Sequence, residues 1–195
     1  MDAWQKFKSA KMKELKEHEK SGKADMEIME LVHEINSAPN LVTTSSCAGR
    51  INLVEYDLEQ GKKTANFHKK WHRTVTGEEV ELALCDYTEK NPLWFKVEPF
   101  ILHVAAKDVT AAVLFLKLVR AVGVKRGGIQ TIGKDKVMIE IQGNGVMVIP
   151  VEPVNGEWGK IVAIANEMMK KNFEVVKKLG DLPWNLERKR TKNKK

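Results

Sequence analysis

The sequence contains little cysteine and no long apolar run. Its 195 residues include only two cysteines, Cys47 and Cys85, and neither belongs to a CxxC pair or a Cys/His cluster that would hold zinc or an iron–sulfur centre. We therefore expect no metal, and no disulfide in a reducing cytosol. Because no apolar stretch reaches about 18 residues and the N-terminus does not resemble a signal peptide, we expect a soluble, cytoplasmic protein without membrane contact.

Common nucleotide-binding and hydrolase motifs are also missing. No GxGxxG follows a first predicted strand, and Gly143-Asn144-Gly145 falls late in the chain, between two predicted hairpin strands. No P-loop, HExxH or GxSxG sequence is present. These absences argue against a Rossmann cofactor site.

Positive charge is concentrated at the C-terminus. The net charge is +7, and residues 187–195 carry +5 of it, which leaves about +2 for the rest. A body with so little basic excess suits local recognition of one RNA loop better than a broad duplex clamp. We predict a single α+β domain over residues 1–186 and a disordered basic tail over 187–195, which either contacts nucleic acid or is a solvated end.

Helical periodicity and strand-like runs alternate along the chain. Apolar spacing predicts two helices in the first 38 residues, with Gly22 ending the first and Asp25 capping the second. Thr76-Gly77-Glu78-Glu79 predicts a capping box, and Asp108 a second helix cap. Hairpins are predicted around Gly133 and Gly143, and a last helix over about 160–179. The fold class is therefore α+β, with a mixed, largely antiparallel sheet, helices packed on it, and no Rossmann fold.

The segment from Thr43 to Arg50 is chemically the least ordinary. Small hydroxyl and thiol side chains are followed by Gly49, which can adopt positive φ, and by Arg50, whose planar fork suits a carboxylate or phosphate. We interpret the segment as a strand–loop–strand unit whose loop binds an anion. Cys47 is either a nucleophile or a small packing residue.

Ionisable residues recur in the strand-like segment from Leu93 to Ala106. On an extended chain Trp94, Lys96 and Glu98 share one face. Pro99 is expected to interrupt the strand with a bend or bulge, and His103 lies beyond it. These groups form either a chemical site, or a Lys–Glu pair with a satisfied core histidine.

Two further segments carry cations near glycine or an aromatic residue. Lys125-Arg126-Gly127-Gly128 would bring a phosphate close to the backbone, or would place cations at a helix C-terminus. Trp71-His72-Arg73 offers an aromatic ring and cations for stacking on a base, or is a packed strand with a solvated arginine.

Several of these segments together resemble the tRNA wybutosine-synthesizing protein 3 family. The resemblance covers about residues 20 to 178, and its motifs occur in the family's order. They are Ser21-Gly22-Lys23-Ala24-Asp25, TTSSCAGRI from Thr43, WFKVEPFILHV from Trp94, Gly123 through Ile129, Ala165-Asn166-Glu167 and Asn172-Phe173.

The resemblance implies a non-Rossmann methyltransferase that transfers a methyl group from S-adenosylmethionine. The acceptor would be a ring nitrogen of the tricyclic base 3′ of the anticodon, in the anticodon loop of tRNA(Phe). Carried over to this chain, the implied cofactor-binding residues are Ser45, Ser46, Cys47, Gly49 and Arg50, the substrate-binding residues are Asp25, Trp71, Lys96, Arg126 and Gly128, and the catalytic residues are Glu98, His103 and Ser46.

Two other functions fit the residues without the resemblance. One is a non-catalytic tRNA- or RNA-binding protein that uses the basic tail and Trp71-His72-Arg73. The other is an enzyme for a small anionic metabolite, with the positive charge incidental. The sequence does not indicate an oligomeric state.

Overall fold

The computed structural model describes residues 2–88, 91–152, 154 and 156–184. The predicted basic tail, residues 187–195, lies outside the described residues. Five α-helices occur in the described part of the chain: α1 (Ala3–Lys20), α2 (Met29–Ser37), α3 (Gly77–Cys85), α4 (Val109–Ala121) and α5 (Trp158–Gly180). Six strands accompany them: β1 (Leu41–Glu55), β2 (Asn66–Trp71), β3 (Leu93–Ala106), β4 (Arg126–Ile132), β5 (Val137–Gln142) and β6 (Met147–Pro150).

The strands form an open, largely antiparallel sheet. Hydrogen bonding orders them β2-β1-β3-β5-β4, and β6 pairs with β3. The pairings β1–β2, β3–β5, β3–β6 and β4–β5 are all antiparallel. The hairpin predicted around Gly133 is confirmed, whereas the hairpin predicted around Gly143 is wrong, because among the described residues β6 pairs with β3 and not with β5. The predicted α+β class is confirmed, and no Rossmann arrangement occurs among the described residues.

The capping signals predicted for α3 and α4 define the starts of these two helices. Thr76 accepts the Glu79 backbone N–H while the Glu79 carboxylate accepts the Thr76 N–H, so the capping box of α3 is complete. Asp108 caps α4 through the Ala111 N–H at 2.8 Å. Gly22 and Gly123 follow the ends of α1 and α4. These short-range contacts stabilise the starts of α3 and α4.

Two predicted interruptions are wrong. The segment from Thr43 to Arg50 is not a loop but the middle of the unbroken 15-residue strand β1. Likewise β3 runs as one strand, Leu93–Ala106, through Pro99. β6 pairs with β3 up to Val97 and β5 pairs from Ile101 onward, and the predicted bend or bulge itself stays a prediction. Proline lacks an N–H, and it lies where β3 changes partner, so no ladder bond of these two pairings is lost.

The described chain divides into two compact units, whose boundaries fall inside β1, β3 and α5 and between β5 and β6. Unit 1 contains residues 2–48, 101–143 and 175–184, and unit 2 contains the described residues of 49–100 and 144–174. The prediction of a single domain over 1–186 stays a prediction. None of the helices in the described part of the chain has the length and apolar character needed to cross a bilayer.

Each unit has its own apolar cluster. In unit 1, Trp4 of α1 packs with Val42 and Ala105, and Phe7, Met12 and Met138 extend the cluster. In unit 2, strand and helix residues are buried together: Ile51, Leu53, Val75, Val80, Ala83, Leu93, Phe95, Val97, Trp158, Val162, Ala165 and Met169. The two clusters fix the positions of β1 and β3. Candidate site residues lie on the same strands.

Candidate active site

In unit 2, Arg50, Asn52 and Glu98 form a hydrogen-bonded cluster. Arg50 Nε donates to Glu98 Oε2 at 2.6 Å, and Asn52 Nδ2 donates to the same oxygen at 3.0 Å. The Arg50 guanidinium carbon lies 4.7 Å from the centroid of the Phe67 ring. Two donors on one carboxylate oxygen and a ring beneath the guanidinium fix the plane of the Arg50 fork.

The cluster keeps hydrogen-bonding capacity for a ligand. The side chains of Arg50 and Glu98 are 27% and 39% exposed. No hydrogen bond within the described residues uses the Arg50 Nη groups or Glu98 Oε1. A guanidinium with free N–H groups beside a carboxylate with a free oxygen matches the carboxylate and ammonium of an amino acid.

Asn52 is the fully buried member of this cluster. Its Oδ1 has no partner among the described residues, whereas its Nδ2 bonds to Glu98. A buried polar atom without a partner is costly, and such atoms are enriched at functional sites. Sequence reasoning missed Asn52, although an asparagine inside the apolar run Ile51 to Val54 was a usable signal.

The absence of a side chain at Gly49 leaves room for Asn172 of α5 to hydrogen-bond to the backbone of β3. Gly49 has φ of 102°, and a Cβ there would lie 2.8 Å from both the Glu98 carbonyl oxygen and Asn172 Nδ2. Asn172 Oδ1 accepts the Phe100 N–H at 2.8 Å. The predicted positive φ of Gly49 is confirmed, and its consequence is close packing of backbone beside Glu98. Asn172 belongs to the family motifs, but sequence reasoning gave it no role.

Trp94 and Lys96 surround a tyrosine. The Trp94 ring stacks on Tyr56 with centroids 5.5 Å apart, and Lys96 Nζ lies 4.6 Å from the Tyr56 centroid. The Glu98 carboxylate forms its ion pair with Arg50 rather than with Lys96, the partner considered from the sequence. Trp71 packs against the apolar cluster of unit 2.

The arginine next to Trp71-His72 is paired. Arg73 Nη2 lies 2.6 Å from Glu79 Oε1, and the Arg73 side chain is 58% exposed, which agrees with the alternative of a solvated arginine. Hydrogen bonds from Arg73, and then from the Thr76 backbone, lower the pKa of Glu79 to about 2. This pair lies at the start of α3 and reinforces its capping box.

In unit 1, His103 pairs with Glu140. These residues face each other across β3 and β5, and His103 Nε2 lies 2.9 Å from Glu140 Oε2. His103 Nδ1 is buried and has no partner among the described residues. In the tautomer that donates Nε2–H to the carboxylate, Nδ1 is a hydrogen-bond acceptor. Sequence reasoning missed Glu140, whose signal was a carboxylate alternating with apolar residues on β5.

Asp25 binds the backbone of β1 instead of capping a helix. It precedes a short 3-10 turn, Met26–Ile28, and makes no side-chain cap bond there. Its carboxylate accepts the Ala48 N–H at 2.6 Å. The prediction of a helix cap is wrong, because this carboxylate accepts from the backbone of β1 in the same unit.

The remaining predicted residues lie on β1 and β4. Ser45 is exposed on β1, whereas Ser46 and Cys47 are half-buried. Arg126 begins β4, is exposed, and its Nη1 donates to the Gly143 carbonyl at 3.4 Å. Gly128 lies opposite Glu140, and a Cβ at Gly128 would meet nothing within 4 Å. The face of β4 beside the His103–Glu140 pair is therefore open.

These features define a small α+β protein whose candidate groups lie on sheet strands rather than at a glycine-rich turn. The family model Methyltransferase TYW3 matches residues 4–182. The chain belongs to this methyltransferase family, which confirms the resemblance and favours a methyltransferase over the two alternative functions.

Curated relatives and solved structures agree with this assignment. A protein of Thermococcus sibiricus named tRNA(Phe) 7-((3-amino-3-carboxypropyl)-4-demethylwyosine(37)-N(4))-methyltransferase is 37% identical over 166 residues, 82% of this chain and 84% of the relative. A Pyrococcus horikoshii enzyme of the same name, numbered 1, is 36% identical over 82% of this chain and 84% of its own. The structure of PH1069 from Pyrococcus horikoshii has a TM-score of 0.83 and 33% identity, covering 90% of this chain and 93% of that chain.

Proposed function

We propose that this chain transfers a methyl group from S-adenosylmethionine to a ring nitrogen of the tricyclic base 3′ of the anticodon in tRNA(Phe). Membership of the methyltransferase family and the names of relatives that match most of the chain support this substrate. The observation that carries the proposal is the pairing of Arg50 and Glu98, which leaves a cationic fork and a carboxylate oxygen side by side.

This pair fits the amino-acid end of S-adenosylmethionine. Arg50 would hold the carboxylate by its Nη groups, and Glu98 would hold the ammonium by Oε1. An aminocarboxypropyl arm carries the same two groups, so it is the other candidate for this pair. S-adenosylmethionine supplies a methyl carbon activated by its sulfonium. The residues of this chain contribute orientation of the reactants and removal of a proton.

We assign proton removal to His103. A ring nitrogen that carries a hydrogen must lose it on methylation, and the partly exposed His103–Glu140 pair would take up that proton as a unit. Glu140 orients His103 through Nε2 and stabilises the imidazolium that forms. Glu98, by contrast, has one oxygen committed to Arg50 and Asn52.

The other site residues complete the proposal. Ser45, Ser46, Cys47 and Gly49 share β1 with Arg50 and stay our candidates for the cofactor. Ser46 is also retained as a candidate catalytic hydroxyl. Trp71, Lys96, Arg126 and Gly128 stay candidates for the RNA, and Asp25 positions β1 through Ala48. No metal is part of the proposal, and we expect the protein in the cytoplasm.

A methyl-transfer assay tests the function. The purified chain is incubated with S-adenosylmethionine carrying a labelled methyl group and with tRNA(Phe) from a strain that lacks this methyltransferase. We expect label in the tRNA and one added methyl group on the tricyclic nucleoside by mass spectrometry. The Thermococcus sibiricus relative serves as positive control. Transfer by the relative but not by this chain would refute the proposal.

Replacing His103 by glutamine should lower kcat about 10²-fold and leave the KM for tRNA within about threefold, because general-base catalysis contributes about 10²–10⁴-fold. Glu140→Gln should lower kcat less, since the imidazole remains. Single-turnover methylation of both variants measures this. Equal kcat for wild type and His103→Gln would remove His103 from the mechanism.

A further inference from the structure

Helix α1 lines a groove outside the residues assigned above. The groove has a volume of about 410 Å³ and contains three lysines but no carboxylate. Apolar side chains and proline supply part of its surface. Its lining residues are Trp4, Gln5, Lys8, Ser9, Met12, Lys13, Lys16 and Pro39.

Lys8 is a partly desolvated cation in this groove. Its Nζ donates to the Ala38 carbonyl, and burial lowers its pKa below the ordinary lysine value. A cation that has lost water and gained only a neutral acceptor is stabilised by an anion. No acidic partner of Lys8 occurs within the described residues. The groove therefore favours a negatively charged occupant.

The other two lysines are poorly neutralised. Lys13 approaches Glu17 only to 4.0 Å, and both side chains are largely exposed. Lys16 forms no ion pair within the described part of the chain. Lys11, on the same helix but outside the groove, pairs with Glu14 at 2.6 Å. The lysine outside the groove therefore has a close carboxylate partner, whereas the groove lysines do not have one within the described residues.

The groove helix packs on the sheet face that carries His103. α1 contacts Ala105 and Met138, which are directly paired across β3 and β5. The pair His103–Glu140 lies two residues farther along the same strands, and side chains two apart share a face. The helix that lines the groove therefore packs about 7 Å along β3 from His103.

We propose that this groove binds the sugar-phosphate backbone of the tRNA substrate, with phosphates at Lys8, Lys13 and Lys16. The inference rests on the proposed function, because the partner is the substrate named there. Lys8 and Lys16 are about 12 Å apart along the helix axis. This spacing is too long for one phosphate, so the three lysines would contact successive phosphates of a nucleic-acid strand. Lysine acts on phosphates as a point charge and supplies affinity without reading sequence.

Two triple variants of α1 test the groove with the same loss of charge. K8Q/K13Q/K16Q removes the groove cations, and K6Q/K11Q/K20Q removes three lysines of the same helix that do not line it. The Kd of a tRNA(Phe) transcript is measured over a series of salt concentrations. We expect about a tenfold or larger rise in Kd for the groove variant, and a slope of log K against log salt shallower by about 2. The control should change by less than about threefold.

Equal weakening in both triple variants, or wild-type affinity in the groove variant, would overturn the inference. An unchanged salt slope despite weaker binding would do the same. Thermal unfolding checks that each variant is folded, and K13R/K16R should bind as wild type. If wild type binds tRNA through the groove but transfers no methyl group, only the proposed function fails. If wild type methylates and K8Q/K13Q/K16Q binds normally, only the groove assignment fails.

Discussion

Replacing Gly127 by alanine is expected to lower the free energy of unfolding by about 4 kcal/mol or more. Gly127 has φ of 113°, which L side chains rarely adopt. A Cβ at this position would lie 2.1 Å from the Glu140 carbonyl oxygen and 2.7 Å from the α-carbon of Ile141. Both obstacles are backbone atoms of β5, so no side-chain rotation relieves the overlap. β4 must then move away from β5, and the ladder between them is lost.

Gly128→Ala is the matched control for Gly127→Ala. The two glycines are neighbours, but a Cβ at Gly128 meets nothing within 4 Å, and Gly128 is not among the glycines with positive φ. We expect Gly128→Ala to change stability by less than about 1 kcal/mol. Urea unfolding followed by circular dichroism compares the two. Similar midpoints for Gly127→Ala and wild type would show that β4 does not hold this conformation in solution.

Replacing Glu98 by alanine should reduce kcat/KM by about 10³-fold or more. The change removes the proposed ligand for an ammonium group, and a hydrogen bond to a charged group contributes about 1.5–3 kcal/mol. It also removes the acceptor that orients Arg50 and that accepts the bond from Asn52 Nδ2. The loss therefore combines one missing contact with a misdirected guanidinium. Steady-state methylation of tRNA(Phe) gives both parameters.

Glu98→Gln separates charge from geometry. An amide oxygen can still accept from Arg50, so we expect a smaller loss, about 10²-fold, with the KM for S-adenosylmethionine raised. Glu81→Ala is the control, because Glu81 is an exposed carboxylate of α3 in the same unit. It should retain wild-type kcat/KM. If Glu98→Ala keeps more than about a third of the wild-type kcat/KM, Glu98 does not hold a reactant.

Features determined by neighbouring residues were predictable from sequence. The capping box at Thr76, the cap at Asp108 and the β4–β5 hairpin around Gly133 all depend on contacts within a few residues. The α+β class follows from these elements together. Sequence reasoning therefore located most helices and strands without knowledge of their partners.

Features determined by sheet pairing were not predictable. The serines and Gly49 are typical of a turn, yet pairing of β1 with its neighbours overrides that preference. Asp25 precedes an apolar run as a cap does, but its carboxylate is used by Ala48. Arg50 and Glu98 were each named as site residues, whereas their contact across 48 positions leaves no periodic signal in one sequence. Glu140 and Asn172 act through the same kind of distant contact.

The continuity of β1 restricts how this segment can vary in length. Ser45, Ser46, Cys47, Gly49 and Arg50 all belong to one strand whose successive side chains point to opposite faces. A single-residue insertion or deletion after Ser46 would turn Arg50 toward the opposite face from Glu98. A flexible loop absorbs such changes, whereas this strand does not. Length variation should therefore accumulate elsewhere, and substitutions rather than indels should diversify this part of the site.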